Sequence, residues 1–443
     1  MTRRTRMSTR WLTGLLASLL ASNALVRAED PLPLSAVSAI LPQTPRQPPE
    51  RPDELPNIDP RLDVAPLLRP PAGTPPPRVP LRERRAPSDY DPAYQYLPDR
   101  NPGLRQPPCP CLPLGRWWFD GGWFLGKTQN DSVPALVTTG GSGVANTNGV
   151  GILRGGDRLD QPFHSGVRVE TGYWFDRCQS WGIDASFFYM VTGTTSLDSS
   201  SGNPLLARPF IAQPGNVPSS DVLAAPGNSG LVNINSPLSF LGTDVNSRHT
   251  LYCESHTRLD FLAGYRFVRM SERLNIHGHS ETAGTIRDEE DDFGTLNYFH
   301  GGQIGLAGEY RFDRFYMTGS AKVAFGATWS TLDISGSTRT QTAGVSTTTA
   351  EGLLARSTNS GTFNDRRYAV VPEANFNFGY QIFDNWRAYL GYTFVYVSSV
   401  ARPGQAIDTS IGTTAAGVVH PLRNDPSTSF WMHGINVGIE ARY

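Results

Sequence analysis

The chain is poor in charge, and its positive charge is almost all arginine. Charged residues make up 18% of 443 positions, and Lys127 and Lys322 are its only lysines. Helical bundles and coiled coils draw heavily on Ala, Leu, Glu and Lys, so composition excludes that class. Cysteine is scarce too. Cys109, Cys111, Cys178 and Cys253 are too few for a disulfide scaffold, and their spacing fits no zinc site. Acidic and basic residues nearly cancel, 40 against 39, which excludes the basic surface that a nucleic-acid partner needs. Beyond residue 28 no segment reaches the ~18 consecutive apolar residues of a spanning helix. An exported chain of this kind is either soluble or inserted as a β-barrel.

What is present starts with an export signal. Arg3, Arg4, Arg6 and Arg10 precede an apolar stretch from Trp11 to Val26, and Val26 and Ala28 supply small side chains at −3 and −1. Residues 1–28 read as a secretory signal peptide cleaved after Ala28. The competing reading is a membrane anchor, for which the run is short. Residues 29–115 read as a Pro-rich disordered periplasmic linker, with 24 of the 36 prolines lying between Pro31 and Gly115. Proline fixes φ and lacks an amide donor, so this stretch builds neither helix nor sheet interior. Fully extended, ~85 residues at ~3.1 Å each would reach about 260 Å. It reads either as a tether to peptidoglycan or as a leader with no partner.

From Arg116 the pattern changes to period-two alternation. Val167, Val169, Thr171, Tyr173 and Phe175 share one face, with Arg168, Glu170, Gly172, Trp174 and Asp176 on the other. Ten such segments begin near residues 116, 164, 181, 255, 272, 298, 314, 366, 386 and 430. Each is long enough for the ~9–11 tilted residues that cross a bilayer. Short connections are expected at 177–180, 269–271, 313 and 383–385. Long ones are expected at 128–162, 194–250, 281–295, 331–365 and 401–429. Strict alternation of short and long connections is the signature of an outer-membrane barrel with periplasmic turns and extracellular loops. The fold class is therefore all-β, an antiparallel up-and-down transmembrane barrel of about ten strands over residues 116–443. Ile435, Val437, Ile439, Ala441 and Tyr443 alternate to a terminal aromatic, a pattern suited to the barrel-insertion machinery.

The segments Arg258–Phe267 (RLDFLAGYRF), Tyr298–Leu306 (YFHGGQIGL) and Gly391–Asp408 (GYTFVYVSSVARPGQAID) resemble the planctomycete-type outer-membrane β-barrel proteins, the "beta-barrel protein 7" family. The resemblance spans roughly residues 116–443. It implies an outer-membrane location and a barrel, and supplies no activity, cofactor or functional residue.

With the more apolar face toward lipid, the lumen receives Arg168, Arg266, Arg311, Arg367, Arg387 and Arg442. It also receives Glu170, Asp184, Asp260, Glu309, Glu373 and Glu440, with Lys322 in addition. Buried charges need partners, and a barrel of about this size is filled by side chains. The expected function is a structural or surface-display barrel with a charge-paired, largely plugged lumen. The alternative is a porin-like channel for ions or small solutes. A weaker alternative is a membrane-embedded hydrolase; His164-Ser165 and His300 were the residues weighed for it, but no spacing identifies a nucleophile and base. His277 and His279 beside the acidic run 288–292 were weighed as a metal site, against a solvated charged loop. No catalytic, metal or cofactor site is assigned. Cys109 or Cys111 is expected to pair with Cys178 on the periplasmic side, with Cys253 at the opposite rim.

Overall fold

A computed structural model of the protein describes residues 115–200 and 204–443. The signal peptide, nearly all of the Pro-rich segment, Cys109 and Cys111 lie outside the described residues. The wall consists of ten long strands. They are β1 (Trp117–Thr128), β2 (His164–Trp174), β3 (Trp181–Ser200), β4 (Ser229–Cys253), β5 (Thr257–Thr282), β6 (Thr285–Phe312), β7 (Phe315–Thr342), β8 (Gly361–Phe383), β9 (Trp386–Ala401) and β10 (Ser427–Arg442). Each is antiparallel to its chain neighbour, and β10 pairs back onto β1 from Trp118↔Arg442 to Thr128↔Met432. The sheet closes on itself as an up-and-down barrel.

Both ends of the wall and four short turns, 175–180, 254–256, 313–314 and 384–385, share one rim. The opposite rim carries the excursions 129–163, 204–228, 343–360 and 402–426. It also carries a two-residue hairpin, Ala283-Gly284, between β5 and β6. Segments of these excursions form a second, six-stranded sheet, in which 206–212 pairs with 137–139, 217–224 and 410–413.

The ten-strand expectation holds, but two strands are drawn differently. The segments beginning near 255 and 272 are one continuous strand, β5, so 269–271 is no turn. The stretch 194–250, expected as a loop, contains the upper part of β3 and nearly all of β4. The run 288–292 lies on β6 directly opposite 275–279 of β5, not in a loop. These changes move Cys253 to the short-turn rim, the same rim as Cys178, which corrects its expected placement. Both Cys178 and Cys253 are disulfide-bonded.

The physical reason for the redrawing is an inversion of polarity along the strands. On β5 the even positions face inward throughout. Low down they carry the charges Asp260 and Arg266 on either side of Leu262, and higher up they are apolar (Val268, Met270, Leu274, Ile276) except for Glu272. The outward positions invert in the opposite sense, from Phe261 and Tyr265 to Arg269, Ser271 and Arg273. A strand that leaves lipid for water while its inner face enters a packed core must do this, and the crossover around Arg269 imitates a turn. The β5–β6 reversal is itself hard to read, because Ala283 takes a left-handed φ of 49° usually given to Asn, Asp or Gly.

Most large outward apolar side chains lie in the part of each strand nearer the short-turn rim, such as Ile304, Leu306 and Tyr310 on β6 and Ile435, Val437, Ile439 and Tyr443 at the C-terminus. Ala441 is covered, flanked by Phe119 and Trp386 on its two neighbouring strands. Aromatic rows border this belt. Trp117, Tyr173 and Phe175 meet near the short-turn rim, and Phe267, Tyr298, His300 and Trp329 meet higher up. Two such girdles mark the two interfaces of a bilayer. Trp118 and Trp174 belong to neither row; they are buried inside the lumen.

Inward-facing rings lie across glycines on neighbouring strands. A Cβ at either Gly122 or Gly438 would run into the Tyr389 ring, and one at Gly172 into Trp118. Gly438→Val should therefore lower stability by about 1–3 kcal/mol through overpacking. The temperature of the heat-modifiable gel shift in detergent reads this out; an unchanged temperature would mean that Tyr389 has room to turn aside.

Candidate functional site

The lumen is organised in layers that a single strand displays in order: Asp260 and Arg266, then Val268 and Met270, then Glu272, then Leu274 and Ile276. The lowest layer is ionic. Near the short-turn rim, Arg387 donates to Glu309 at 2.8 Å and Glu440 at 3.2 Å, Arg442 reaches Glu309 at 2.7 Å, and Arg311 also bonds Glu309. Arg248 meets Asp184 at 3.1 Å, and Arg258 meets Asp260 at 2.9 Å. Higher up, Lys322 bridges Asp244 at 2.8 Å and Glu373 at 3.3 Å, while Arg266 bonds Glu373 and Arg168 reaches Glu170 at 3.3 Å. Tyr389 donates its hydroxyl to Asp120 at 2.8 Å.

Twelve of the thirteen charges assigned to the lumen from the sequence, Lys322 included, take part in these contacts. Arg367 does not. It lies beyond the apolar layer, bonded to Asp365 and to Asp425 at 2.6 Å each. Asp120, Asp244, Arg248 and Arg258 join the network without having been singled out. Arg248 and Asp244 were hidden because β4 reads as a loop. Asn233, Asn235, Ser236 and Pro237 carry turn chemistry, although Val232, Ile234, Leu238 and Phe240 keep strict alternation around them. Pro237 sits where the β4–β5 ladder is interrupted between Asn235↔Asn275 and Leu238↔Glu272, a gap with unchanged register that tolerates its missing donor.

The layer thus holds eight basic groups (Arg168, Arg248, Arg258, Arg266, Arg311, Lys322, Arg387, Arg442) and eight acidic ones (Asp120, Glu170, Asp184, Asp244, Asp260, Glu309, Glu373, Glu440). Balance matters here, since each unpaired charge taken from water costs several kcal/mol, on the order given for buried ions. The network surrounds a cavity of about 110 Å³ lined by Trp118, Arg168, Arg248, Tyr389 and Arg442 among others.

Above the ions lies an apolar layer. Met190, Phe240, Met270, Phe299, Val371, Val395, Val397, Phe430 and Met432 are buried together, with Phe240 stacked on Phe430 at 5.7 Å. Its residues come from eight of the ten strands. Over it, Arg402 enters from the 402–426 excursion. It binds Glu272 through two nitrogens at 2.8 and 2.9 Å, and donates to the carbonyls of Gln129 and Asn130. Asp131 accepts from the amide of Gly404 at 2.7 Å. A second apolar core closes the top, joining Leu274, Ile276, Phe293 and Ile334 of the wall to Leu136, Leu206, Leu353 and Ile407 of the excursions.

The histidines weighed for chemistry are dispersed. His164 is buried on the inner face of β2, whereas His300 faces outward, 2.5 Å from the Tyr265 hydroxyl and edge-on to Trp329. His279 bonds Asp288 at 2.6 Å, and His277 stands opposite Glu290 in the strand register. Among the described residues no three His, Cys, Asp or Glu side chains are grouped as a metal site.

The family model described as "Putative beta barrel porin-7 (BBP7)" matches residues 117–443, and the chain belongs to that family. It is a porin-type outer-membrane barrel protein. No curated protein matches it in sequence. Among solved structures it is similar to the outer membrane protease OmpT from Escherichia coli at 13% identity, over 74% of this chain and 97% of that one, with a TM-score of 0.40. It is also similar to the toluene transporter TodX from Pseudomonas putida at 10% identity, over 74% and 89%, with a TM-score of 0.19. Such values speak to neither activity nor substrate.

Outside the membrane belt, the inner face of β6 carries Glu289, 4% exposed. Arg208 and Arg287 lie 3.8 Å from it, Asp291 is held by Arg208 at 2.5 Å, and Asp221 is bonded to Arg287. Burial pushes Glu289 up to about 7, from an ordinary 4.5; the arginines oppose this, and Asp291 and Asp221 add to it. The folded state therefore holds this proton more tightly than the unfolded state does. The contribution is fully present below about pH 4.5 and is lost as pH rises toward 7. Glu289→Gln should match the wild type at pH 4.5 and exceed it at pH 8, measured as amide exchange protection of 206–212 and 217–224. Equal protection at pH 8 would show that Glu289 is ionised without penalty.

Proposed function

We propose that this member of the beta barrel porin-7 family is a closed outer-membrane barrel that displays a folded cap, rather than an open diffusion pore. The observation that carries this reading is the apolar layer. Phe240, Phe299, Phe430 and their neighbours lie between the ionic layer below and Arg402 above. A hydrated ion crossing there would shed water with no polar group to replace it, at a cost of several kcal/mol, on the order of any unpaired burial. The cap adds a second barrier, because its apolar core seats four excursions against the extended wall.

In this reading the short-turn rim faces the periplasm, where the Pro-rich segment also begins, and the cap faces the exterior. The long strands β5 to β7 then act as a rigid stalk, lifting the excursions clear of the membrane. The barrel carries no catalytic role here: His164 and His300 lie on opposite faces of the wall, and neither meets a serine and an acid together. The signal peptide is removed on export, and the Pro-rich segment spans the periplasm.

Full-length protein inserted in a planar bilayer should give no defined conductance steps, after heat-modifiable mobility has established folding. Replacing Phe240, Phe299 and Phe430 together by alanine should introduce them. Steady steps from the wild type would overturn the closed reading in favour of a channel through the Arg266–Glu373 region. In intact cells, external protease should cut the exposed stretch 414–424 and spare the turn 254–256; cleavage at 254–256 alone would reverse the orientation.

A further inference from the structure

One seam interrupts the hydrogen-bonded wall. The β8–β9 ladder runs from Phe383↔Trp386 to Glu373↔Val395 and stops there. Both strands continue, β8 back to Gly361 and β9 on to Ala401. The next residue on β8 is Pro372, which has no amide to donate, and this is a physical reason for the ladder to end. Above it, β8 remains paired only with β7, and β9 only with β10. The Val370 amide donates instead to the Ser398 hydroxyl at 2.8 Å.

A cleft of about 330 Å³ lies at this seam, with Leu332, Phe363 and Val400 on its apolar side and Arg367, Arg423 and Asp425 on its polar side. Arg367 is neutralised by Asp365 and Asp425. Arg423 is not. Its guanidinium lies 4.8 Å from the Phe363 ring centroid, and Arg366 on the outer lip lies equally far from Trp329. Among the described residues the ion pairs to Asp365 and Asp425 are both made by Arg367, and neither Arg366 nor Arg423 lies within ion-pair distance of a carboxylate. Inside the cleft Arg367 and Arg423 balance Asp365 and Asp425, and Arg366 on the outer face of β8 adds a further positive charge at its lip. Trp329, in the upper aromatic row, is opposite Arg366 in the register, and outward-facing Tyr368 is opposite Ala327. The seam therefore opens at the height where lipid head groups meet the barrel.

We propose that this seam binds the phosphate-bearing head group of an outer-membrane lipid, with Arg423 and Arg366 supplying the charge and Leu332, Phe363 and Val400 receiving the start of the acyl chain. Guanidinium groups match phosphate oxygens in geometry as well as charge. Leu332 and Phe363 pack in the upper apolar core and Val400 in the apolar layer below it, while Arg366 and Arg423 belong to neither, so the two arginines can be replaced without opening those layers.

The test is calorimetric titration of the full-length protein in maltoside micelles with dioctanoyl phosphatidic acid. Saturable binding is expected, weakened about tenfold or more in the R366Q/R423Q double variant and unaffected by equimolar inorganic phosphate. Heat-modifiable mobility establishes that each variant is folded. Unsaturable uptake, or equal affinity in the double variant, would overturn the site. Equal competition by inorganic phosphate would overturn the lipid as its occupant. A V370C/S398C bridge should abolish binding by pinning the seam shut; unchanged affinity in the bridged protein would overturn entry through the wall.

Discussion

Closure of the backbone hydrogen-bond ring is the constraint on which everything else in this protein depends. Lipid offers no partner to an amide, so a strand wall must satisfy its own donors and acceptors all the way round. The β1–β10 ladder does this by joining the two ends of the meander over eleven residue pairs. Once the ring is closed, each residue faces either lipid or lumen, and the side-chain period of two turns every strand into a two-sided instruction. Where the ring is relaxed above Pro372, the gap lies at and beyond the upper aromatic row, where water and lipid head groups can serve the unpaired backbone.

Inside the ring the protein faces the opposite difficulty from a soluble domain. Its lumen is narrow and lined by charges that cannot reach bulk water. It solves this in the lower half with matched ions, so that Lys322 serves two carboxylates and Glu309 three arginines. Higher up, where the strands pass beyond the membrane, the solution changes to an apolar core like that of a water-soluble protein. Arg402 stands at the transition between the two. Buried beside Glu272 and Phe430, it ties the 402–426 excursion to the barrel interior. The cap and the barrel thus share one continuous interior, and loosening either would expose apolar surface of the other.

How much of this was legible in the residues depends on which solvent each strand faces. Where the outer face meets lipid and the inner face is polar, as on β2, the lower half of β5 and β10, alternation of Val167 with Arg168 or Ile439 with Glu440 is unambiguous. Where the outer face meets water and the inner face is packed, the same alternation persists with its sign reversed, and the reversal reads as a break. That is why Arg269–Ser271 imitated a turn and Asp288–Asp292 a loop. Strand β4 was obscured by Asn, Ser and Pro, which favour turns when isolated but are held in register here by two neighbours. One strand missed and one divided in two left the count unchanged.

The sequence by itself determined the closed β architecture, the side each lower-strand residue takes and the set of charges that needed partners. These follow from local period and from the cost of burying charge, both written along the chain. Only the tertiary structure decided which charges meet, that Arg367 stands apart from them, that Cys253 shares a rim with Cys178, and that the excursions fold into a cap instead of hanging free. Those depend on register between strands far apart in the chain, such as β1 with β10, and on packing across a lumen whose contents no single strand specifies.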